Sequence, residues 1–382
     1  MKIVMMSSGT INSTLTYRIM SLAKSLVKRG NDVTIITPSL DKYSHFKKEH
    51  LENLEGVKVI RPFQFNTTSR LLNLIPYIFH TIKILHSIQF DVIHLYKPSP
   101  ITITGLLPKF TKKTPIIVDM DDLGSKVMDQ ENNFYITVKI VQFCELLSLK
   151  YANGIICASS YLQKNYNKRY HQKPITWISN GVEEKFFKTV LKKSNVENRI
   201  ITIGSLNRTN ILEPLIQALP EVAKKLYPKK PEVLMIGDGQ ALPHLKKMAE
   251  QLHVDQYITF TGLLPMEKIP QYTRLADVGY TYMPDDETIR ACSNLKIFQY
   301  MAMGVVPLVS TVGDLPYYIH NGEAGYIAKS KNVSALTLAL TDALTNDKKR
   351  LEKALLAQEF VKEHFTWDIL AHKAETFYKS II

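Results

Sequence analysis

Short apolar runs alternate with amphipathic stretches along nearly the whole chain, and the period of each stretch predicts an element. Lys2 to Met6 reads as a strand, the small polar turn Ser8-Gly9-Thr10 follows, and Ser13 to Arg29 carries Leu15, Ile19, Leu22, Ala23 and Leu26 on one helical face, closed by Gly30. Further strands are predicted at Asp32–Thr37, Val57–Ile60, Asp91–Tyr96, Pro115–Asp119, Gly154–Ala158 and Ile175–Ile178. The charged stretch Glu183 to Asn198 has no clean period and reads as a connection. Beyond it the alternation restarts, with strands at Ile200–Ile203, Val233–Ile236, Tyr257–Phe260, Val278–Met283, Val305–Val309 and Tyr326–Ala328, and helix from Val333 to the end. Apolar strands separated by helices imply parallel sheets covered on both faces. The expectation is two Rossmann-like α/β domains facing a cleft, 1–185 and 186–364, with a last helix, 365–382, docking back on the first. Ligands of such sheets bind at the carboxyl ends of the strands.

The stretch Ser293 to Ser310 combines a helix with a buried strand. Ser293 is the expected cap; Leu295, Phe298, Met301 and Ala302 form an apolar stripe, and Gly304 stops the helix. A helix start offers backbone N–H groups and the positive end of the dipole, and Lys296 adds a full charge in the first turn, which together make a diphosphate seat. Gly204-Ser205, Gly237-Asp238-Gly239 and Thr261-Gly262 follow predicted strands on one sheet edge, where a missing Cβ lets backbone approach a ligand.

Composition changes the picture mainly through charge. The 382 residues carry a net charge of +13, and it is uneven: through Val190 there are 25 Lys and Arg against 14 Asp and Glu, the remainder being nearly balanced. A basic half attracts an anionic membrane or an anionic substrate. Nucleic acid is not an expected partner, because no basic run is interleaved with aromatics. Arg70 to Phe90 reads either as a helix lying among lipid headgroups or as a core helix with Pro76 near its start. No run of 18 apolar residues occurs, and the first residues are too short an apolar stretch for a secretory signal. Cys144, Cys157 and Cys292 have neither disulfide-framework nor metal spacing and suit a reducing compartment. The phosphate-loop pattern G-x-x-x-x-G-K-[ST] is missing, and no G-x-G-x-x-G follows the first strand, so nucleotide hydrolysis and dinucleotide redox chemistry lose support.

Several of these pieces match a known family in order and spacing: Ser8-Gly9-Thr10, Asn180-Gly181-Val182, Ile203-Gly204 with Glu213 to Ala218, Ile236-Gly237-Asp238-Gly239, Phe260-Thr261-Gly262, Lys296 to Gly304 and Phe365-Thr366-Trp367. The chain resembles the family-4 retaining glycosyltransferases of GT-B fold over essentially its whole length. That resemblance implies a nucleotide-sugar donor on the second domain, with the base near Gly262 and the diphosphate near Gly204 and the Ser293 helix. The donor side comprises Gly204, Ser205, Asn210, Gly237, Asp238, Gly262, Ser293, Asn294 and Gln299. The acceptor side, on the first domain, comprises Ser8, Gly9, Thr10, Asp121 and Asp122. Transfer would retain the anomeric configuration and need no metal or other cofactor, Lys296 stabilising the departing diphosphate.

The sequence also departs from the family pattern. Ser205 and Asn210 stand where the family places an arginine and a lysine, and Ala291 and Gln299 where it places two glutamates. Arg208 and Arg290 are the candidate substitute cations. Asp119-Met120-Asp121-Asp122 stands where many relatives carry a histidine. These carboxylates are read as orienting acceptor hydroxyls or acting as a base, Asp119 nearest the acceptor, or as holding a divalent cation, or as a solvated acidic turn. His94 is read as a core or rim residue. The expected function is a cytoplasmic glycosyltransferase, acting in cell-surface polysaccharide, glycolipid or glycosylated-metabolite synthesis on a glycan, lipid-linked or small acceptor. Contact of its basic half with the inner face of an anionic membrane is a further expectation. The alternative is an impaired transferase serving as the regulatory or chaperone partner of another.

Overall fold

The computed structural model describes all residues except 11–15, 39–49, 64–69, 131–132, 188–197 and 266. The amino-terminal half forms β1 (Lys2–Met6), α1 (Tyr17–Lys28), β2 (Asp32–Ile36), β3 (His50–Leu54), β4 (Val57–Arg61), α2 (Arg70–Ser87), β5 (Val92–Tyr96), α3 (Leu107–Thr111), β6 (Ile116–Met120), α4 (Gly124–Gln130), α5 (Tyr135–Tyr151), β7 (Gly154–Cys157), α6 (Ser160–Arg169) and β8 (Ile175–Trp177). Its sheet runs β3-β4-β2-β1-β5-β6-β7-β8, parallel except for the β3/β4 pair. The central strands are buried along most of their length, as the near-continuous apolar runs require.

The second half forms β9 (Arg199–Ile203), α7 (Thr209–Leu226), β10 (Glu232–Ile236), α8 (Leu242–Gln251), β11 (Ile258–Gly262), α9 (Ile269–Thr273), β12 (Val278–Thr281), α10 (Glu287–Ala291), α11 (Leu295–Ala302), β13 (Val306–Ser310), α12 (Leu315–Tyr318), β14 (Tyr326–Ala328), α13 (Val333–Thr345) and α14 (Asp347–His364). The last helix is α15 (Trp367–Lys379). This second sheet is wholly parallel, in the order β11-β10-β9-β12-β13-β14.

The chain divides into two compact units, the first comprising 1–180, 291–293 and 367–382, the second 181–290 and 294–366. The divisions fall a few residues from the expected 185/186 and 364/365. Gly181 to Phe186 joins the second unit because the Val182 N–H donates to the Phe365 carbonyl and Val182 bridges Thr366. In the first unit α1 and α15 cover one sheet face, where Ile19, Leu22, Leu26, Trp367, Leu370 and Tyr378 share a cluster with Met5, Val33 and Val92. The other face carries α2, α3, α5 and α6, with Ile84, Leu85, Leu106 and Leu149 packed on Val4, Ile93 and Val118.

β3 was not expected: His50-Leu51-Glu52-Asn53 is too polar to read as a strand, and it forms as an antiparallel edge because Glu55 and Gly56, at φ 53° and 87°, turn it onto β4. The start of the first predicted helix and most of the connection 183–198 lie outside the described residues. α2 is a core helix, with Tyr77, Thr81, Ile84 and Leu85 buried and Pro76 inside it, although its outer side leaves Ile75 and Phe79 exposed.

Candidate functional site

At the carboxyl edge of the second sheet β9, β10 and β11 are neighbours, so their glycine turns meet. The Gly204 N–H donates to the Ile236 carbonyl and the Gly237 N–H to the Gly262 carbonyl, each at 3.0 Å, and the Leu206 N–H reaches the Asp238 carbonyl. Gly237, at φ 145°, cannot carry a side chain, because a Cβ there would lie 1.9 Å from the Gly204 carbonyl oxygen. A Cβ on Gly204 or Gly262 would meet nothing within 4 Å, although both have positive φ. Their open sides are surfaces on which a ligand can rest against bare backbone. Ser205, Asn210 and Asp238 are exposed around this rim, and the Asp238 carboxylate accepts the Gly239 N–H at 2.8 Å.

α11 begins on the same edge, since it runs back from the carboxyl end of β12 to the start of β13. Ile297, Phe298, Tyr300, Met301 and Ala302 are buried, with the Phe298 ring centroid 4.8 Å from Tyr318 and 4.9 Å from Phe365. This packing fixes the helix axis and therefore the direction of its first N–H groups. The Lys296 ammonium lies in that first turn, half-buried, and among the described residues no carboxylate pairs with it. Burial drives its pKa down from the ordinary 10.5 to about 8. A partly desolvated cation at a helix start, without a protein counter-ion, is favourable only when an anion completes it. Gln299, one turn on, is buried.

Ser293 does not cap this helix. The N-cap is Asn294, whose side chain makes no capping bond. The Ser293 hydroxyl instead accepts the Asn180 N–H at 2.9 Å, and the Ser293 carbonyl accepts from the Asn180 amide at 2.7 Å. Arg208 is also not a free substitute cation: its guanidinium is paired with Asp286, which in turn accepts the Ile289 N–H at the start of α10. Arg290 is paired with Asp285 at 2.7 Å. Ala291, where the resemblance places a glutamate, is fully buried within the apolar cluster of the first unit, where a carboxylate would be desolvated.

In the first unit the acidic segment is largely structural. Asp119, expected nearest the acceptor, is buried and accepts two bonds from the Arg18 guanidinium, at 2.9 and 3.1 Å, with His94 Nε2 at 3.3 Å. Burial alone would raise its pKa, but Arg18 and His94 outweigh that and hold the carboxyl below its usual range. A carboxylate so occupied is unavailable as a base. Arg18 also donates to the carbonyls of Ile178 and Ser179 and to Asn180 Oδ1, and His94 Nδ1 contacts the Tyr378 hydroxyl at 2.6 Å, so one buried network joins α1, β5, β6 and α15. Asp121 accepts from the Tyr96 hydroxyl at 2.9 Å, and Asp122 from Lys97 at 2.7 Å. Among the described residues no cluster of His, Cys, Asp and Glu is arranged to hold a metal ion. Ser8 and Thr10 are half-buried and Gly9 buried in the turn after β1, where the Thr37 hydroxyl donates to the Gly9 carbonyl.

Arg18 and Lys97 are the polar residues that sequence inspection missed. The available signal for Arg18 was its place beside Ile19 and Leu22 on the buried stripe of α1.

Two α/β units on mainly parallel sheets, the second with interlocked glycine turns and a lysine at a helix start on one sheet edge, are the architecture of the GT-B fold. The family model described as Glycosyltransferase Family 4 matches residues 16–186, and that described as Glycosyl transferases group 1 matches residues 197–346. The chain belongs to the family-4 glycosyltransferases and is an enzyme of that class. It is 21% identical to N-acetyl-alpha-D-glucosaminyl L-malate synthase of Bacillus anthracis, over 94% of this chain and 92% of that one. It is 23% identical to a GDP-mannose-dependent phosphatidylinositol monomannoside mannosyltransferase of Mycobacterium tuberculosis, over 43% of each. Among solved structures it superposes on Anabaena HepE in complex with UDP and glucose with a TM-score of 0.74, at 16% identity and covering all of both chains. Sucrose-phosphate synthase of Thermosynechococcus elongatus gives a TM-score of 0.77, at 16% identity, over 100% of this chain and 98% of that one.

Proposed function

We propose that this enzyme transfers a sugar from a nucleotide-sugar donor, held on the second unit, to a glycan, lipid-linked or small acceptor, with retention of anomeric configuration and without a metal ion. The supporting observation is Lys296, a partly desolvated ammonium at the start of α11 with no carboxylate paired to it among the described residues. As the glycosidic bond to the donor breaks, negative charge grows on the departing diphosphate. Lys296 and the backbone N–H groups of the helix start stabilise that charge, and they are preorganised because α11 is locked by its buried face. The open side of Gly204 suits the diphosphate and that of Gly262 the base, with Asn294 and Gln299 toward the sugar and ribose.

Similar proteins carry names that mention UDP, UDP-glucose or GDP-mannose, and acceptors as different as malate and phosphatidylinositol mannoside. These names support a nucleotide-sugar donor and a role in glycan, glycolipid or glycosylated-metabolite synthesis. We assign the reaction to the cytoplasm, at the inner face of an anionic membrane; the free cysteines support a reducing compartment. Among the described residues no helix is long and apolar enough to cross a membrane.

The test is a thermal-shift screen with UDP, GDP and ADP, followed by turnover of the matching sugar nucleotide. A shift with one nucleotide is expected, and Lys296→Ala should abolish both shift and turnover while leaving the apo melting curve sigmoidal. A protein that responds to none of them, or an active Lys296→Ala variant, would sink the proposal.

A further inference from the structure

We propose that the outward face of α5, with the outer sides of α2 and α3, is a membrane-docking surface that inserts apolar side chains among anionic lipid headgroups. α5 is apolar on both sides. Its inner side, with Val138, Cys144 and Leu149 buried, belongs to the core. Phe134, just before the helix, is 87% exposed, and the outer side of α5 exposes Ile136, Ile140 and Phe143 at 73%, 46% and 59%. The last three are four and three residues apart, which puts them on one stripe. Phe79 of α2 and Phe110 of α3 are exposed at 69% and 62%. α2 and α5 pack on the same face of the eight-stranded sheet through Ile84, Leu85 and Leu149, as does Leu106 immediately before α3, so the outer sides of α2 and α5 look away from it together. Phe110 meets Tyr151 at the end of α5, ring centroids 5.3 Å apart. Scattered exposed apolar residues need no explanation, but a run of large aromatic and branched side chains on adjacent helices marks a surface built to be covered.

The charges around this surface select the occupant. Lys139 and Lys150 of α5 are exposed beside the stripe, with Nζ over the rings of Tyr135 at 5.1 Å and Tyr151 at 5.3 Å. The one carboxylate of α5, Glu145, is turned away: its oxygens accept the Ser125 N–H at 3.1 Å and hydroxyl at 2.6 Å. The outward face of α5 thus carries apolar and cationic groups and no carboxylate. A second copy of this chain would bring cation against cation there. An anionic bilayer surface complements both features, because lysine stems lie along the apolar layer while their ammonium groups reach the lipid phosphates. Insertion need reach only about 5–10 Å, as for helices lying in the interface.

Docking stands apart from the donor chemistry, and it deepens the transferase proposal by committing the acceptor to a lipid-borne one. The test is co-sedimentation of the full chain with vesicles of phosphatidylglycerol and phosphatidylcholine, against phosphatidylcholine alone. Binding to the anionic vesicles is expected, and it should weaken with added salt. The double variant Ile140→Ser/Phe143→Ser should lower the vesicle partition constant about tenfold or more, as expected for losing two inserted apolar side chains. Its melting temperature and nucleotide shift should stay unchanged. Leu338→Ser, on an exposed position of α13, should bind vesicles as the parent does. Equal sedimentation of parent and double variant, or no sedimentation of the parent, overturns the proposal. So does a dimer that the double variant abolishes while vesicles are ignored. Vesicle binding without any nucleotide response would instead count against the transferase proposal alone.

Discussion

At the scale of single residues, Lys296 and Asp119 show how burial gives opposite roles to two charged groups. Lys296 is desolvated, with no carboxylate partner among the described residues, so its folded pKa falls to about 8 while the unfolded chain keeps a value near 10.5. Between these values the unfolded chain holds a proton that the folded one has released. The unliganded enzyme should therefore gain stability as pH rises from about 8 toward 10.5. Nucleoside diphosphate affinity should fall over the same rise, because the ammonium is lost. Titration calorimetry and melting curves across pH 7–10.5 would measure both trends, and Lys296→Met should flatten them. Asp119 is the reverse case, a carboxylate whose burial is offset by Arg18. Asp119→Asn leaves the guanidinium buried and uncompensated, and should cost about 3–5 kcal/mol in urea unfolding. A variant that unfolds like the parent but has lost turnover would return Asp119 to the acceptor role first expected of it. The two residues looked alike in sequence, as charges near a predicted strand end or helix start. Only the count of partners around each separates them.

At the scale of elements, α15 shows what a late helix does for an early sheet. Trp367, Leu370, Ala374 and Tyr378 complete the cluster over β1, β2 and β5. Arg29 and Lys379 bond the Glu375 carboxylate at 2.8 and 2.9 Å and bring its pKa down to about 2. Because the folded pKa lies below the unfolded one, this contribution is present above about pH 4.5 and is lost as pH falls toward 2. Glu375→Gln should therefore narrow the stability gap between pH 5 and pH 2.5, read from urea midpoints at the two pH values. An unchanged gap would mean that the pair is too well solvated to matter. The periodicity of 367–378 announced this helix, and the apolar strands announced the sheet. What escaped was β3, whose pairing comes from a left-handed turn rather than from its own composition. Ser293 was misread for a related reason: a serine before a helix is the usual cap, but its hydroxyl is taken by the Asn180 N–H.

At the scale of the molecule, the first unit is discontinuous, since it needs 367–382 from the far end of the chain. A fragment of residues 1–180 keeps α1 but lacks α15, which covers part of the same sheet face, and should aggregate or remain loosely packed. Residues 181–366 contain a whole six-stranded sheet with its own apolar cluster, and should give a cooperative melting curve alone. Circular dichroism of the two fragments, with and without a 367–382 peptide added to the first, tests this; a well-folded 1–180 fragment would contradict it. The alternation of apolar runs with 3.6-period stretches determined the two parallel sheets, the final helix and the glycine turns of the second unit, because strand and helix periods are properties of neighbours along the chain. The tertiary structure alone decided which charges are spent. Arg18, Arg208, Asp119 and Asp122 are matched by partners distant in sequence, whereas Lys296 has no ion-pair partner among the described residues. It also decided that the outer side of α5 stays bare, since a helix apolar on both sides does not say in sequence which side the sheet will cover.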